Sequence, residues 1–130
     1  MKQNQQPAWT GSRSGFTKLI AWQKSYQLVL DVYRATERMP RSERFALAAQ
    51  TKRAAVSIPC NLAEGWSRGS TADYLRFMHI AKGSAAELQT QIWLARDLGF
   101  LHTDAKIDEK IDESIRLLNG LIRSLDGKIA

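Results

Sequence analysis

Few side chains in this 130-residue chain are of the kinds that run reactions. Cys60 is the sole thiol, and a catalytic nucleophile needs a base and an orienting group beside it. It follows Pro59 in an apolar neighbourhood that includes Ile58 and Leu62, so it reads as an inert, buried core cysteine. His79 and His102 are the two imidazoles. Neither has a second histidine, or a glutamate three places before it, so the Glu and Glu-x-x-His sets of a di-metal bundle are missing. Asp104, Asp108 and Asp112 recur every four residues, with Glu109 and Glu113 beside them. Near a helix amino terminus, and offset by Lys106 and Lys110, they read as a solvated face. No glycine-rich phosphate loop occurs. The expectation is no enzyme, with no catalytic residue, no metal and no cofactor.

The remaining chemistry is positive charge. The formal net charge is +6, which favours an anionic partner such as nucleic acid, or else serves solubility alone. Residues 1–66 hold ten lysines and arginines against four acids, so the whole excess lies in the first half. Arg34, Arg38, Arg41, Arg44, Lys52 and Arg68 are the candidates for phosphate contact. Such binding would follow the nucleic-acid backbone and take little notice of base sequence. Arg34 and Arg38 also suit the carboxyl end of a helix, where the dipole favours cations.

Those side chains need a frame, and the spacing of apolar residues supplies one. Residues 1–15 are polar and read as a flexible arm, in which Trp9 is the residue able to dock. Residues 16–130 form one domain. The amino terminus lacks the apolar core of a signal peptide, and no stretch approaches the ~20 apolar residues of a membrane span. With a lone cysteine and hence no internal disulfide, the chain suits a reducing cytoplasm.

The first helix is expected to start with Thr17 as its N-cap, to carry the stripe Leu19, Trp22, Tyr26, Val29, Leu30 and Tyr33, and to end before Pro40. Ser42 is expected to cap the second, whose stripe is Leu47, Thr51, Ala54, Ile58, Leu62 and Trp66. Pro59 interrupts it, removing a donor and crowding the Ala55 carbonyl at a cost of roughly 3 kcal/mol. Ser57 and Asn61 flank the proline and can satisfy a freed carbonyl. A kink at Ile58–Pro59 and a left-handed cap at Gly65 follow from this. Ser70 and Asp73 start the third helix, striped by Tyr74, Phe77, Met78, Ala81, Ala85, Leu88, Ile92 and Ala95, and Gly99 ends it. Gly83 lies among small residues in its middle, which predicts close approach of another backbone. Thr103 caps a fourth helix carrying Ile107, Ile111, Ile115, Leu118, Ile122, Leu125 and Ile129. No alternating strand pattern occurs. Four helices of about 22–28 residues with short turns make an all-α, antiparallel up-down-up-down four-helix bundle.

Apolar residues exceed what four core stripes need. Leu75, Trp93 and Leu94 on the third helix, with Leu117 and Leu121 on the fourth, point to a covered surface and hence to self-association. A broad core stripe is the alternative. Arg53, Asn61 and Glu64 read as polar groups that fix packing register against a neighbouring helix or subunit.

Leu19-x-x-Trp22, then Gln50-x-x-Arg53-Ala54-Ala55-x-Ser57-Ile58-Pro59-x-Asn61-Leu62-Ala63-Glu64-Gly65, then Ala81-x-Gly83-Ser84-x-x-Glu87-Leu88 form a pattern over roughly residues 16–125. It resembles the four-helix-bundle proteins encoded in intervening sequences of bacterial 23S ribosomal RNA genes. That family is similar to the accessory variability proteins of diversity-generating retroelements. Leu62 stands where members often have Ile. The resemblance implies a ring, a homopentamer, with no catalysis. The retroelement relatives partner a reverse transcriptase and bind nucleic acid through a basic surface. The expected function is therefore a non-enzymatic homo-oligomer that binds RNA or DNA. The alternative is a protein-interaction scaffold or an accessory subunit for a reverse transcriptase.

Overall fold

The computed structural model describes residues 6–102 and 105–129. Among the described residues there are four α-helices and no strand: α1 (Ile20–Thr36), α2 (Leu47–Ser67), α3 (Thr71–Asp97) and α4 (Ala105–Ile129). Short 3-10 turns over Gly15–Lys18 and Arg41–Glu43 precede α1 and α2. No described helix is long and apolar enough to cross a membrane. Contacts between neighbouring helices run in opposite senses. Ser57 meets Ser84 and Gly65 faces Phe77 between α2 and α3. Gln89 meets Asp112 and Arg96 meets Asp108 between α3 and α4. Lys24 meets Glu113 and Asp31 meets Lys110 between α1 and α4.

Helix starts depart from the expected caps. Thr17 is buried in the first 3-10 turn, where its hydroxyl donates to the Ser14 carbonyl at 2.7 Å, and Leu19 is the residue that opens α1. This leaves α1 only 17 residues, shorter than expected. Ser42 likewise falls within a 3-10 turn, and α2 begins at Leu47, whose N–H donates to the Glu43 carboxylate at 3.4 Å. Ser70 caps α3 as expected, accepting from the Asp73 N–H at 3.1 Å. Gly99, at φ +80, ends α3 in the paired pattern of Phe100 N–H to Ala95 carbonyl (2.7 Å) and Gly99 N–H to Arg96 carbonyl (2.9 Å). The expected cap at Thr103 and Asp104, and the Ile129 side chain, lie outside the described residues.

The core is built around Leu28, Val32, Ile58, Leu62, Met78, Leu88, Ile92, Ile111 and Leu118, all fully buried. On α1 the inward face differs from the expected stripe. Ala21, Trp22, Ser25, Leu28, Val32 and Ala35 are buried, whereas Leu30 and Tyr33 are exposed. Large residues (Trp22, Leu28, Val32) alternate on it with small ones (Ala21, Ser25, Ala35), which a search for large apolar spacing passes over. Ser25 can be buried because its hydroxyl donates to the Trp22 carbonyl at 3.1 Å. Trp66 is also exposed, lying across Gly15 and edge-on to Tyr74 at 5.9 Å. Trp9 docks edge-on against Trp22 at 5.3 Å.

α2 runs unbroken through Pro59. The Asn61 amide donates to the Ser57 carbonyl (2.7 Å) and hydroxyl (2.8 Å), so it serves that residue and not the Ala55 carbonyl. Ser57 and Ser84 share a hydroxyl hydrogen bond at 2.8 Å, which joins α2 to α3 beside the proline. Gly65 does not cap α2. The helix continues to Ser67, and Gly69 at φ +84 takes the left-handed turn. Gly65 is instead buried where α3 comes closest: a Cβ there would stand 2.8 Å from the Phe77 Cβ and 3.3 Å from the Tyr74 carbonyl oxygen. Gly83 reverses the expectation placed on it, because it faces outward and a Cβ would meet nothing within 4 Å.

Gly65→Ala therefore forces two helices apart and is expected to cost about 1–3 kcal/mol in chemical denaturation. Gly83→Ala is expected to raise stability by up to about 1 kcal/mol through helix propensity alone. The Tyr74 hydroxyl is buried without a partner among the described residues, and burial raises its pKa. Because the folded pKa exceeds the unfolded one, this contribution to stability is complete below about pH 10 and is lost as pH rises through the folded pKa. Tyr74→Phe is expected to match or exceed wild-type stability at pH 7, by about 1 kcal/mol at most, and to flatten the alkaline loss in pH-dependent unfolding curves.

Candidate nucleic-acid interface

The basic candidates divide between the two ends of the bundle. The last turn of α1, the 3-10 turn after it and the first turns of α2 carry Arg34, Arg38, Arg41, Arg44 and Lys52. Tyr33, Glu37, Arg41, Arg44 and Lys52 line one shallow depression there. Arg38 lines a neighbouring cavity with Arg96, Phe100 and His102. Arg34 is partly neutralised by Asp31 at 3.1 Å, and Asp31 also receives Lys110. Arg38, Arg41, Arg44 and Lys52 form no ion pair with any described residue.

Two aromatic rings belong to this end and were not among the candidates. The Arg44 guanidinium lies over the Phe45 ring, 4.6 Å from its centroid, and the Lys52 ammonium lies 5.3 Å from the Tyr33 centroid. Phe45 is 83% exposed. Its signal in the sequence is negative: it falls on no helical stripe and sits directly after an arginine.

Arg68 does not join the group. It ends α2, about 30 Å from the helix start at 1.5 Å per residue. There it pairs with Glu64 at 3.2 Å and lies 5.1 Å from the Phe77 ring centroid. Arg76, 4.5 Å from the same centroid, pairs with Asp73 at 3.6 Å. Both of these arginines are thus already matched by a carboxylate.

The residues expected to set register also separate. Ser57 and Asn61 do bridge toward α3, as described. Glu64 pairs within its own helix, and Arg53 makes no ion pair with a described residue but lines a polar cleft with Gln50, Ser57, Glu87 and Gln91. The acidic face of α4 is not simply solvated. Asp108 pairs with Arg96 at 2.7 Å, Asp112 accepts from Gln89 at 3.3 Å, and Glu113 meets Lys24 at 4.0 Å, so these carboxylates fasten α4 to its neighbours.

Among the candidate interface residues, Leu75, Leu117 and Leu121 are half-buried against the bundle's own core, because its apolar stripes are broad. Trp93 and Leu94 are exposed, at 51% and 48%. As consecutive helical residues they diverge by about 100° and do not form one patch. Leu94 instead forms an outward pair with Leu98 one turn on, while Ile80 is exposed separately about four turns earlier. A second apolar surface, unforeseen, is the groove between α1 and α2 lined by Tyr26, Val29, Leu30, Val56, Pro59 and Cys60. Cys60 is exposed there, not buried, because it occupies the outer side of α2. His79 and His102 are both exposed. Among the described residues, no group of three or more His, Cys, Asp or Glu could hold a metal ion.

Comparison with known proteins adds two findings. The family model described as "23S rRNA-intervening sequence protein" matches residues 17–120. The fold is also that of a protein of unknown function from the S23 ribosomal protein family of Bacteroides thetaiotaomicron VPI-5482, known from a crystal structure. That likeness has a TM-score of 0.74 at 20% identity and covers 80% of this chain and 96% of the other. No curated protein matches the chain.

Proposed function

Because the chain belongs to the 23S rRNA-intervening sequence protein family, we propose that it is a non-enzymatic, self-associating bundle that holds the backbone of RNA or DNA at its α1–α2 end. One observation carries this reading. Between Tyr33 and Arg53 six cationic side chains face two carboxylates, Glu37 and Glu43, and Glu43 is already engaged by the Leu47 N–H. Of these, Arg41, Arg44 and Lys52 surround one depression, and cations so grouped with few carboxylates to match them are what a phosphate backbone requires.

Self-association is supported by the two unlike apolar surfaces, the α1–α2 groove and the exposed Leu94–Leu98 pair on α3. Unlike surfaces mate head to tail, and such contacts close into a ring when the rotation between copies permits. A ring repeats the basic end in each subunit and gains avidity with no further interaction per subunit. Five copies are the number that the sequence resemblance implies. A cytoplasmic setting belongs to the same reading and is supported by the lone, unbridged Cys60. The apolar groove also favours a second reading, a scaffold that docks a protein, of which a reverse transcriptase is one instance.

Titration of a labelled structured RNA is expected to show affinity falling steeply and log-linearly with salt. Arg41→Ala with Arg44→Ala is expected to flatten that slope by about 0.7–0.9 for each phosphate that is no longer neutralised, while Arg68→Ala leaves it unchanged. Absence of binding at low salt removes the nucleic-acid reading and leaves the scaffold. Sedimentation at micromolar concentration is expected to give a multiple of 14.7 kDa, and Leu94→Glu to return a helical monomer. A wild-type monomer would sink the assembly.

A further inference from the structure

Resting on the nucleic-acid reading above, we infer that the basic end takes single-stranded nucleic acid, with an unpaired base stacked on Phe45 and a second on Tyr33. The backbone-binding reading accounts for the cations of this end but not for its rings. Phe45 is exposed more fully than any other large apolar residue the structure describes. It belongs neither to the buried core nor to the α1–α2 groove. It stands between the Arg41–Glu43 turn and the start of α2, so it serves no helical stripe.

The arrangement around it is specific. The Arg44 guanidinium takes one side of the Phe45 ring, and at 83% exposure most of the rest faces solvent. The pattern is repeated close by, with Lys52 over Tyr33, itself 44% exposed. Tyr33, Arg41, Arg44 and Lys52 line one depression, and Arg44, which lies over Phe45, links that ring to its edge. A base offers a π-face to a phenyl ring or a guanidinium plane, and the phosphates on either side of it need cations close at hand. In a duplex those faces are stacked inside, where a protruding phenyl ring cannot reach them. A surface that only counted phosphates would have no use for Phe45. One that accepts splayed bases uses both components, with little preference for base identity because every base has a π-face.

The test compares a labelled single-stranded oligonucleotide of mixed sequence, about 15 nucleotides long to span one site, with its own duplex, by fluorescence anisotropy at low salt. The single strand is expected to bind more tightly. Phe45→Ala is expected to weaken single-strand binding about tenfold, within the range of one stacked base, and to leave the duplex unaffected. Phe45→Trp is expected to retain affinity and to add an indole whose fluorescence the single strand quenches. Arg41→Ala is expected to weaken both ligands. Equal or tighter duplex binding, or full single-strand affinity in Phe45→Ala, overturns the inference and spares the backbone reading. Failure of both ligands to bind wild-type protein overturns both. A change in sedimentation on Phe45→Ala assigns the ring to contact between copies, and that also overturns the inference.

Discussion

The approach of α2 to α3 is the constraint on which the rest of the molecule depends. At Gly65 the two helices come so close that no side chain fits between them. Two turns earlier along α2, Ser57, Asn61 and Ser84 form a continuous hydrogen-bonded link across the same seam. Small residues allow the approach, and hydroxyls fix its register, since a buried polar group shifted by one turn would lose its partner. Pro59 sits between these points. It is buried in the α1–α2 groove while the helix continues through it.

With that seam set, the other pairs close by charge. Lys24–Glu113 and Asp31–Lys110 join α1 to α4, and Arg96–Asp108 joins α3 to α4. The exposed pairs contribute little individually, but their order along the helices admits one alignment only. The turn between α1 and α2 keeps a group of unmatched cations. There Arg38, Arg41, Arg44 and Lys52 form no ion pair with a described residue, while the nearby Asp108 is taken by Arg96.

Much of this is legible in the sequence, and the failures share a cause. The stripes of α2, α3 and α4 locate the core because Ile, Leu and Met dominate them. The stripe of α1 misleads because Ala21, Ser25 and Ala35 carry no apolar signal, yet it is small residues that let helices meet. Gly65 takes the close-approach role expected of Gly83, which itself faces open solvent, for a related reason. A glycine shows that a side chain is missing, but not whether a neighbour or open water fills the space. The basic cluster can be found by counting charge. That Arg68 lies apart from it cannot, because helix length separates residues that composition groups together. Phe45 is invisible as a site residue because its role depends on being packed against nothing. Family membership agrees with the resemblance carried by the signature run of α2, and the relation to retroelement accessory proteins stays a matter of proposal.

The two ends of the bundle hold the same ingredients, arginines lying over aromatic rings, but in opposite states of neutralisation. Around Phe77 each guanidinium has its carboxylate, Glu64 or Asp73. Around Phe45 and Tyr33, Arg44 and Lys52 have none among the described residues. The contrast is local and is not one of net charge, because the α3–α4 turn brings Asp97, Asp108 and Glu109 to the same pole. A polyanion therefore meets these free cations only from within about a Debye length, and added electrolyte narrows that range further.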